Sequence, residues 1–345
     1  MKNGNAPSAE GTKRASRAAV VFLSMAVLAV VLLCVSLCVG SYPLSVSEIG
    51  AVLTGQRAGS ITERVFRELR LPRVLMGLLT GAVLGTSGGV YQMVFESPLA
   101  SPDLTGVASG ASLGAAIAIT LGCGAALRVG FAFCGGLSAL LLVFLILAAA
   151  RGMNPYRCIL AGVIVSAACD AGLMVLKTAV DREGTLSAIE YWTMGSLGGM
   201  TAEKALPAAC CAIPALLVLL LCGRQASMLS LGTEQARVMG LSPNLWRGIL
   251  LLFSTLCVGA VVSVCGVVGF LGLTAPHIAY LLGGTRGRGF LPLCALTGGV
   301  LLLCADLLAR TVSAGAELPL SVFTVAFSLP VLAALLLFGG GRDDA

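Results

Sequence analysis

R-L-P-R-V-L-M-G-L-L-T-G-A-V-L-G-T-S-G-G-V-Y-Q-M-V-F-E-S-P-L-A-S-P-D-L-T-G-V-A-S-G-A-S-L-G, residues 70–114, decides the fold. Two arginines flank a leucine and a proline at its start. A long apolar segment crowded with small residues follows, then a polar, proline-broken turn that leads into a second apolar segment. Gly77, Gly81, Gly85, Gly88 and Gly89 recur at helical spacing. Such positions let helices in lipid approach closely, because no side chain holds the backbones apart. A polar turn this short between two apolar runs implies a helical bundle within a bilayer.

Composition agrees. The chain has 345 residues, of which 57% are hydrophobic and 11% charged, and its mean hydropathy is +0.98. Soluble domains carry about 25% charged residues. The net charge of +6 is scattered among apolar runs, without the clustered basic face that nucleic acid requires, so no nucleic-acid partner is expected. Thirteen cysteines are present. Cys34, Cys38, Cys210, Cys211, Cys257 and Cys304 lie inside apolar runs, where cysteine reads as a small hydrophobe. No C-x-x-C and no Cys/His metal spacing occurs, so neither a metal nor a cofactor is expected.

Taken in order, residues 1–17 are polar and basic (Lys2, Lys13, Arg14, Arg17) and read as a disordered cytoplasmic tail. The apolar run at 18–40 exceeds the 7–15 residues of a signal peptide and is read as a retained span. A polar loop at 41–70 follows. Further spans are expected at 71–95, 104–122, 129–150, 157–180, 205–222 and 245–267. A short broken one is placed at 271–284, then spans at 290–312 and 318–339, with a tail at 340–345. That is an all-α, polytopic bundle of about ten helices forming one membrane domain over 18–339. An even count puts both termini in the cytoplasm. Inside loops then hold Arg151, Arg157, Arg224, Arg237, Arg247, Arg286 and Arg288, but the first outside loop holds Arg57, Arg64, Arg67, Arg70 and Arg73. This breaks the positive-inside rule. Either Glu63 and Glu68 partly neutralise the loop, or the loop is a basic docking surface for an acidic partner. A shift of 178 residues aligns Gly81, Ala82, Val83, Gly88, Val90, Pro98 and Gly106 with Gly259, Ala260, Val261, Gly266, Val268, Pro276 and Gly284. Spanning five helices, it implies an inverted internal repeat, a common transporter device.

Several stretches stand out. The longest cytoplasmic interruption is 224–247. There Gly232 and Gly240 bracket a short helix with Thr233 placed to cap it. Residues 266–280, G-V-V-G-F-L-G-L-T-A-P-H-I-A-Y, break an apolar run with glycines and Pro276. Irregular backbone at membrane depth is tolerated only where it is buried in protein or lines a cavity. His277, the one histidine of the chain, reads as a packed, hydrogen-bonded residue at a helix start, with substrate contact as the other reading. Asp306 and Arg310 are spaced for an i,i+4 pair. Asp170 is an intramembrane acid without an assigned partner. Tyr191 and Trp192 suit an interfacial anchor.

These motifs resemble, in order from about residue 40, those of the FecCD family of ABC-importer permeases. R-L-P-R (70–73), the G-A-x-L-x-x-S-G-x-x-x-Q run around Gly88, and P-L-A-x-P-x-L-x-G-V-x-S-G-A with Pro98 and Pro102 are similar to the family's pattern. So are L-x-L-G-x-x-x-A-R-x-x-G (229–240), G-x-x-G-F-x-G-L-x-x-P-H with Gly269, Pro276 and His277, and A-D-L-L-A-R (305–310). A-E-L-P-L-S-V-F-T follows with Glu317 and Pro319, departing from the family by Ser321 in place of glycine. The segment Y-W-T-M-G-S-L-G-G is similar to an outer-side element of the family.

The resemblance implies a type II importer permease. It would be a homodimer, or a pair with a similar permease, in the cell membrane of a bacterium. Two ABC ATPase subunits would sit below and an extracytoplasmic substrate-binding protein above. The cargo is expected to be an iron chelate, a siderophore first, then haem or cobalamin. Arg70, Arg73 and Arg310 are implied to dock the binding protein. Leu231, Gly232, Thr233, Glu234, Ala236, Arg237, Met239 and Gly240 are implied to form the ATPase coupling loop. No Gly-Lys pair and hence no P-loop occurs, so hydrolysis would lie on another chain and this chain would not be an enzyme. Two rival readings remain: an ion-coupled secondary transporter, and an intramembrane serine protease using Ser87 in Gly85-Thr86-Ser87-Gly88 with His277 as base.

Overall fold

The computed structural model describes residues 9–338, apart from 41, 43, 56–58, 151, 181–182, 284, 288 and 313–316. Arg57, Arg151, Gly284, Arg288, residues 1–8 of the basic tail and the segment 339–345 therefore lie outside the described residues. The polypeptide begins with α1 (Ala9–Cys38), the short α2 (Val46–Leu53) and α3 (Ile61–Arg64), and a π-helical turn Val65–Arg70 that runs into α4 (Leu71–Val94). A 3-10 turn, Pro102–Thr105, precedes α5 (Val107–Thr120), α6 (Ala125–Ala149) and α7 (Pro155–Ala179). Next come α8 (Glu183–Thr193), α9 (Ala202–Leu221), α10 (Gly223–Leu229) and α11 (Thr233–Val238). The chain ends with α12 (Pro243–Cys265), α13 (Leu271–Gly283), α14 (Phe290–Thr311) and α15 (Leu320–Phe338). No strand occurs among the described residues.

Among the described residues, seven helical stretches are long and apolar enough to cross a bilayer: α1 from Ala18, α3 through α4 (Ile61–Val94), α6, α7, α9, α12 and α14. α5, α13 and the Leu320–Leu335 part of α15 are shorter apolar helices. Together they correspond one for one to the spans expected from the sequence. α1 differs at its start, since helical backbone begins at Ala9 rather than at residue 18.

Helix starts follow local chemistry. Ser45 and Glu48 form a capping box at α2, and Asn154 accepts the Arg157 backbone N–H at 2.9 Å ahead of Pro155 at α7. Proline in the first turn costs nothing, because its missing N–H would be unpaired there anyway. α4 is the hub. It packs against α14, α13, α12 and α9 and is buried along most of its length. The glycine stripe makes this possible. A Cβ on Gly81 would lie 2.3 Å from the Gly298 carbonyl, on Gly85 2.2 Å from that of Cys294, and on Gly88 1.7 Å from that of Gly272. The pairings 81 with 298 and 85 with 294 run in opposite senses, so the start of α4 meets the end of α14. The triplets Gly81-Ala82-Val83 and Gly259-Ala260-Val261 lie in α4 and α12, which pack on each other. Pro98 falls in the turn after α4, whereas Pro276 lies inside α13.

Candidate functional site

Two polar assemblies stand at opposite ends of α4. The first gathers at its start. Arg73, in the first turn, donates through Nε and one terminal nitrogen to Asp306 Oδ1 at 3.0 and 2.9 Å. It also bridges both oxygens of Glu317 at 2.6 and 3.0 Å. The Arg310 Nε lies 3.2 Å from the other Asp306 oxygen. Asp306 is fully buried, so its charge stays in the bundle only because two guanidiniums face it. Glu317 sits on the irregular backbone ahead of α15 with 35% of its side chain exposed. Arg70 is buried and caps the end of α1, donating to the carbonyls of Leu37 at 2.9 Å, Val39 at 2.6 Å and Tyr42 at 2.5 Å. Arg310 also donates to Ser36, through both its carbonyl and its hydroxyl. These groups edge a cleft of about 270 Å³ with Gly40, Leu69, Leu197 and Met200.

The structure thus brings the three arginines implied for docking together, with their donors already engaged inside the chain. It also explains much of the basic outside loop. Arg70 answers helix-end carbonyls, which attract cations. Arg73 answers two carboxylates, and Arg67 pairs with Glu63 at 3.1 Å. Arg64 and Arg67 are the arginines of this loop that stand exposed among the described residues.

Beside this assembly three stretches of irregular backbone interlock. The Ser196 N–H donates to the Cys265 carbonyl at 2.7 Å, and that of Leu320 to Gly195 at 3.0 Å. Ser321, the departure from the family's glycine, donates its hydroxyl to the Met194 carbonyl at 2.7 Å and lies 3.2 Å from that of Val267. The break between α12 and α13 spans 266–270, with Gly266 at φ 73° and Phe270 at φ 62°. Within it the Val267 carbonyl faces the Ser321 hydroxyl and the Gly269 carbonyl accepts the Leu271 N–H at 2.8 Å; unwound backbone at membrane depth requires such burial against protein. Pro319 and Gly269 border the knot.

His277 is not at a helix start. It lies within α13, buried, with Nδ1 2.7 Å from the Leu273 carbonyl and 3.3 Å from Gln92 Nε2. Ser87 is fully buried, and its hydroxyl has no hydrogen-bond partner. A nucleophilic serine needs a base within reach, and the described residues present none to this hydroxyl. Asp170 is exposed on α7, and Tyr191 is exposed with its hydroxyl 3.0 Å from Ser196 Oγ.

The second assembly stands at the other end of α4. α11 is a single compact unit. Gly232, at φ 107°, occupies its N-cap position; Thr233 is the first helical residue and does not cap, contrary to the sequence expectation. The helix ends with Gly240 at φ 81°, its N–H on the Arg237 carbonyl at 2.9 Å and that of Leu241 on Ala236 at 3.0 Å. This is the left-handed glycine ending that satisfies a helix's last carbonyls. Ala236 points inward and is fully buried, while Leu231, Val238 and Met239 are exposed. Glu234 and Arg237 pair at 2.9 Å on the outer surface. Pro98 is exposed and Pro102 buried in the turns alongside.

Sequence reasoning missed two residues here. Arg247 served only as an inside charge and Glu96 as part of a turn. Arg247 is 1% exposed and joins Glu96 Oε1 at 2.9 Å and Thr233 Oγ1 at 2.8 Å. The available signal was a lone arginine in the second turn of a span, since intramembrane charge is rarely without a partner.

The profile of the FecCD transport family matches residues 28–338. The vitamin B12 import system permease protein BtuC of Escherichia coli O157:H7 is 37% identical over 319 residues, covering 92% of this chain and 95% of that protein. BtuC of Salmonella typhi is 39% identical over 271 residues, 78% of this chain and 82% of that one. A metal-chelate type ABC transporter in an inward-facing conformation superposes with a TM-score of 0.82 at 30% identity, over 92% of this chain and 98% of the other. PsaBC from Streptococcus pneumoniae, at TM-score 0.53 and 14% identity, shares the fold. The relatives are transport components rather than enzymes. Ten apolar helices among the described residues, packed around a glycine-striped hub, fit these matches, and this chain belongs to the FecCD transport family.

Proposed function

We propose that this chain is the membrane-spanning permease subunit of an ATP-binding-cassette importer. Two copies, or this chain and a similar one, would enclose the pathway. ATPase subunits would sit against α11 and a substrate-binding protein would deliver cargo at the opposite face, so that both termini lie in the cytoplasm. The observation that carries this is α11 itself. A six-residue helix on a polar face is pinned by buried Ala236 yet presents Leu231, Val238 and Met239 outward. Exposed apolar groups rimmed by Glu234 and Arg237 are what a protein partner's groove recognises. Leu217, Met174, Val175 and Leu329 on α9, α7 and α15 are likewise exposed and supply faces for lipid and for the second permease.

The chain performs no bond chemistry. ATP-driven closure of the partners would displace α11 and, through α4 and α12, switch which side of the bundle is open. Binding-protein carboxylates would meet Arg73, Arg310 and Arg70 at the cleft above, in competition with Glu317. The cargo is a metal chelate. The sequence alone ranked siderophores first; identity to vitamin B12 permeases along nearly the whole chain favours cobalamin. Proteoliposomes holding the complex that co-purifies with this chain test it. ATP-dependent uptake of radiolabelled cyanocobalamin is expected, and uptake of a ferric siderophore instead would replace the cargo while retaining the mechanism. Uptake without any ATPase would favour an ion-coupled transporter.

A further inference from the structure

We propose that Arg247 is the strut through which displacement of α11 reaches the end of α4. This rests on the importer reading above and names the residue on which its coupling depends.

One guanidinium joins three elements. Arg247 lies in the second turn of α12 and is the bulkiest fully buried side chain. Its terminal nitrogen donates at 2.9 Å to Glu96, two residues past the end of α4, and at 2.8 Å to the Thr233 hydroxyl, the first residue of α11. Its Nε lies 3.4 Å from the Val94 carbonyl, in the last turn of α4. Thr233 and Glu96 are themselves 3.5 Å apart. Withdrawing the Glu96 carboxylate strands a buried cation, which is strongly destabilising, and withdrawing α11 takes the Thr233 hydroxyl from the same guanidinium nitrogen. A displacement of α11 is therefore felt at the end of α4 through this one side chain.

Glu96 also terminates α4. Its backbone is at φ 54°, the left-handed helix ending in which the Ser97 N–H closes on the Gln92 carbonyl at 3.2 Å. The residue that ends α4 thus carries the carboxylate bound to Arg247. The exposed Glu234–Arg237 pair on α11 offers no comparable link, because pairs in solvent contribute little. Beyond Glu96 the path is a single rigid element. α4 has 24 residues, about 36 Å at 1.5 Å per residue. Its far end begins beside Arg73 and the opposite cleft. Arg247 is thus a positioning residue for coupling and touches neither cargo nor nucleotide.

The test uses the native complex purified through this chain and hydrogen–deuterium exchange with and without ATP and vanadate, so no cargo need be known. In the wild type, nucleotide should change exchange both at 233–238 and at 92–96. In Arg247→Met the response at 233–238 should persist while that at 92–96 falls from about tenfold to below about twofold. A merely structural role would raise exchange at 92–96 equally with and without nucleotide and leave the nucleotide response in place, which overturns the proposal. Should Arg247→Met not assemble, Glu96→Gln, at a half-exposed position, is read the same way. A wild-type complex without any nucleotide response at 233–238 would instead overturn the importer reading, so the two failures are distinguishable.

Discussion

At the residue scale, charge inside the bundle is tolerable only in closed sets, and the sets identify the key residues. Asp306 is held by Arg73 and Arg310, and Arg247 by Glu96, Val94 and Thr233. Asp306→Ala would leave two buried guanidiniums facing each other. It should cost about 3–5 kcal/mol in denaturant unfolding of the detergent-solubilised protein. Glu317→Gln, at the half-exposed rim, should cost less than about 1 kcal/mol; equal losses for the two would refute the burial argument. Ser321→Ala removes a hydroxyl from two carbonyls of the knot and should cost about 1 kcal/mol by the same measurement. Much of this set was legible in the sequence as motif, since Arg70, Arg73, Asp306, Arg310 and Glu317 all carry the family pattern. The Asp306–Arg310 pair was legible from its i,i+4 spacing, but the partners of Arg70 and Arg73 were not. Arg73 and Asp306 are 233 residues apart, and nothing local in either stretch specifies the other. A separation of 151 residues likewise hid Arg247 and Glu96 from each other.

At the element scale, backbone approach and helix ends decide what each stretch can do. Gly88 and Gly269 both belong to motif stretches, yet they answer different needs. A Cβ on Gly88 would meet the Gly272 carbonyl, whereas one on Gly269 meets nothing within 4 Å. Gly88→Ala should lose about 3 kcal/mol or fail to insert stably, since backbone cannot retreat as a side chain can. Gly269→Ala should express and melt as the wild type; fluorescence-detected size exclusion with a thermal ramp reads both. The glycine spacing in 70–114 announced the close packing of α4 without naming α14 and α13 as its partners. Thr233 shows the reverse. A threonine after glycine reads locally as a cap, but tertiary structure gives the cap position to Gly232 and the hydroxyl to Arg247. On α11, Met239→Asp together with Leu231→Asp should abolish retention of the ATPase while leaving the melting temperature unchanged, because both side chains are already exposed. Retention at wild-type level would remove α11 from the interface.

At the scale of the whole molecule, ten apolar helices and their order were readable because a bilayer imposes length and hydropathy on every span. The interlocking of 194–196, 266–267 and 320–321 was not readable, because hydrogen bonds between irregular segments leave no periodic trace. All thirteen cysteines are free, so uptake should be the same in reductant and in air, and loss of uptake in reductant would expose a functional disulfide. On the proposed function, this bundle moves cargo only when a separate ATPase drives it through α11. The most direct measurement is gentle purification of the tagged chain from native membranes, with quantitation of what accompanies it. A P-loop ATPase is expected in one-to-one ratio with this chain, and it should be lost on substitution of Leu231 and Met239. A chain that purifies alone and still transports after reconstitution would contradict it.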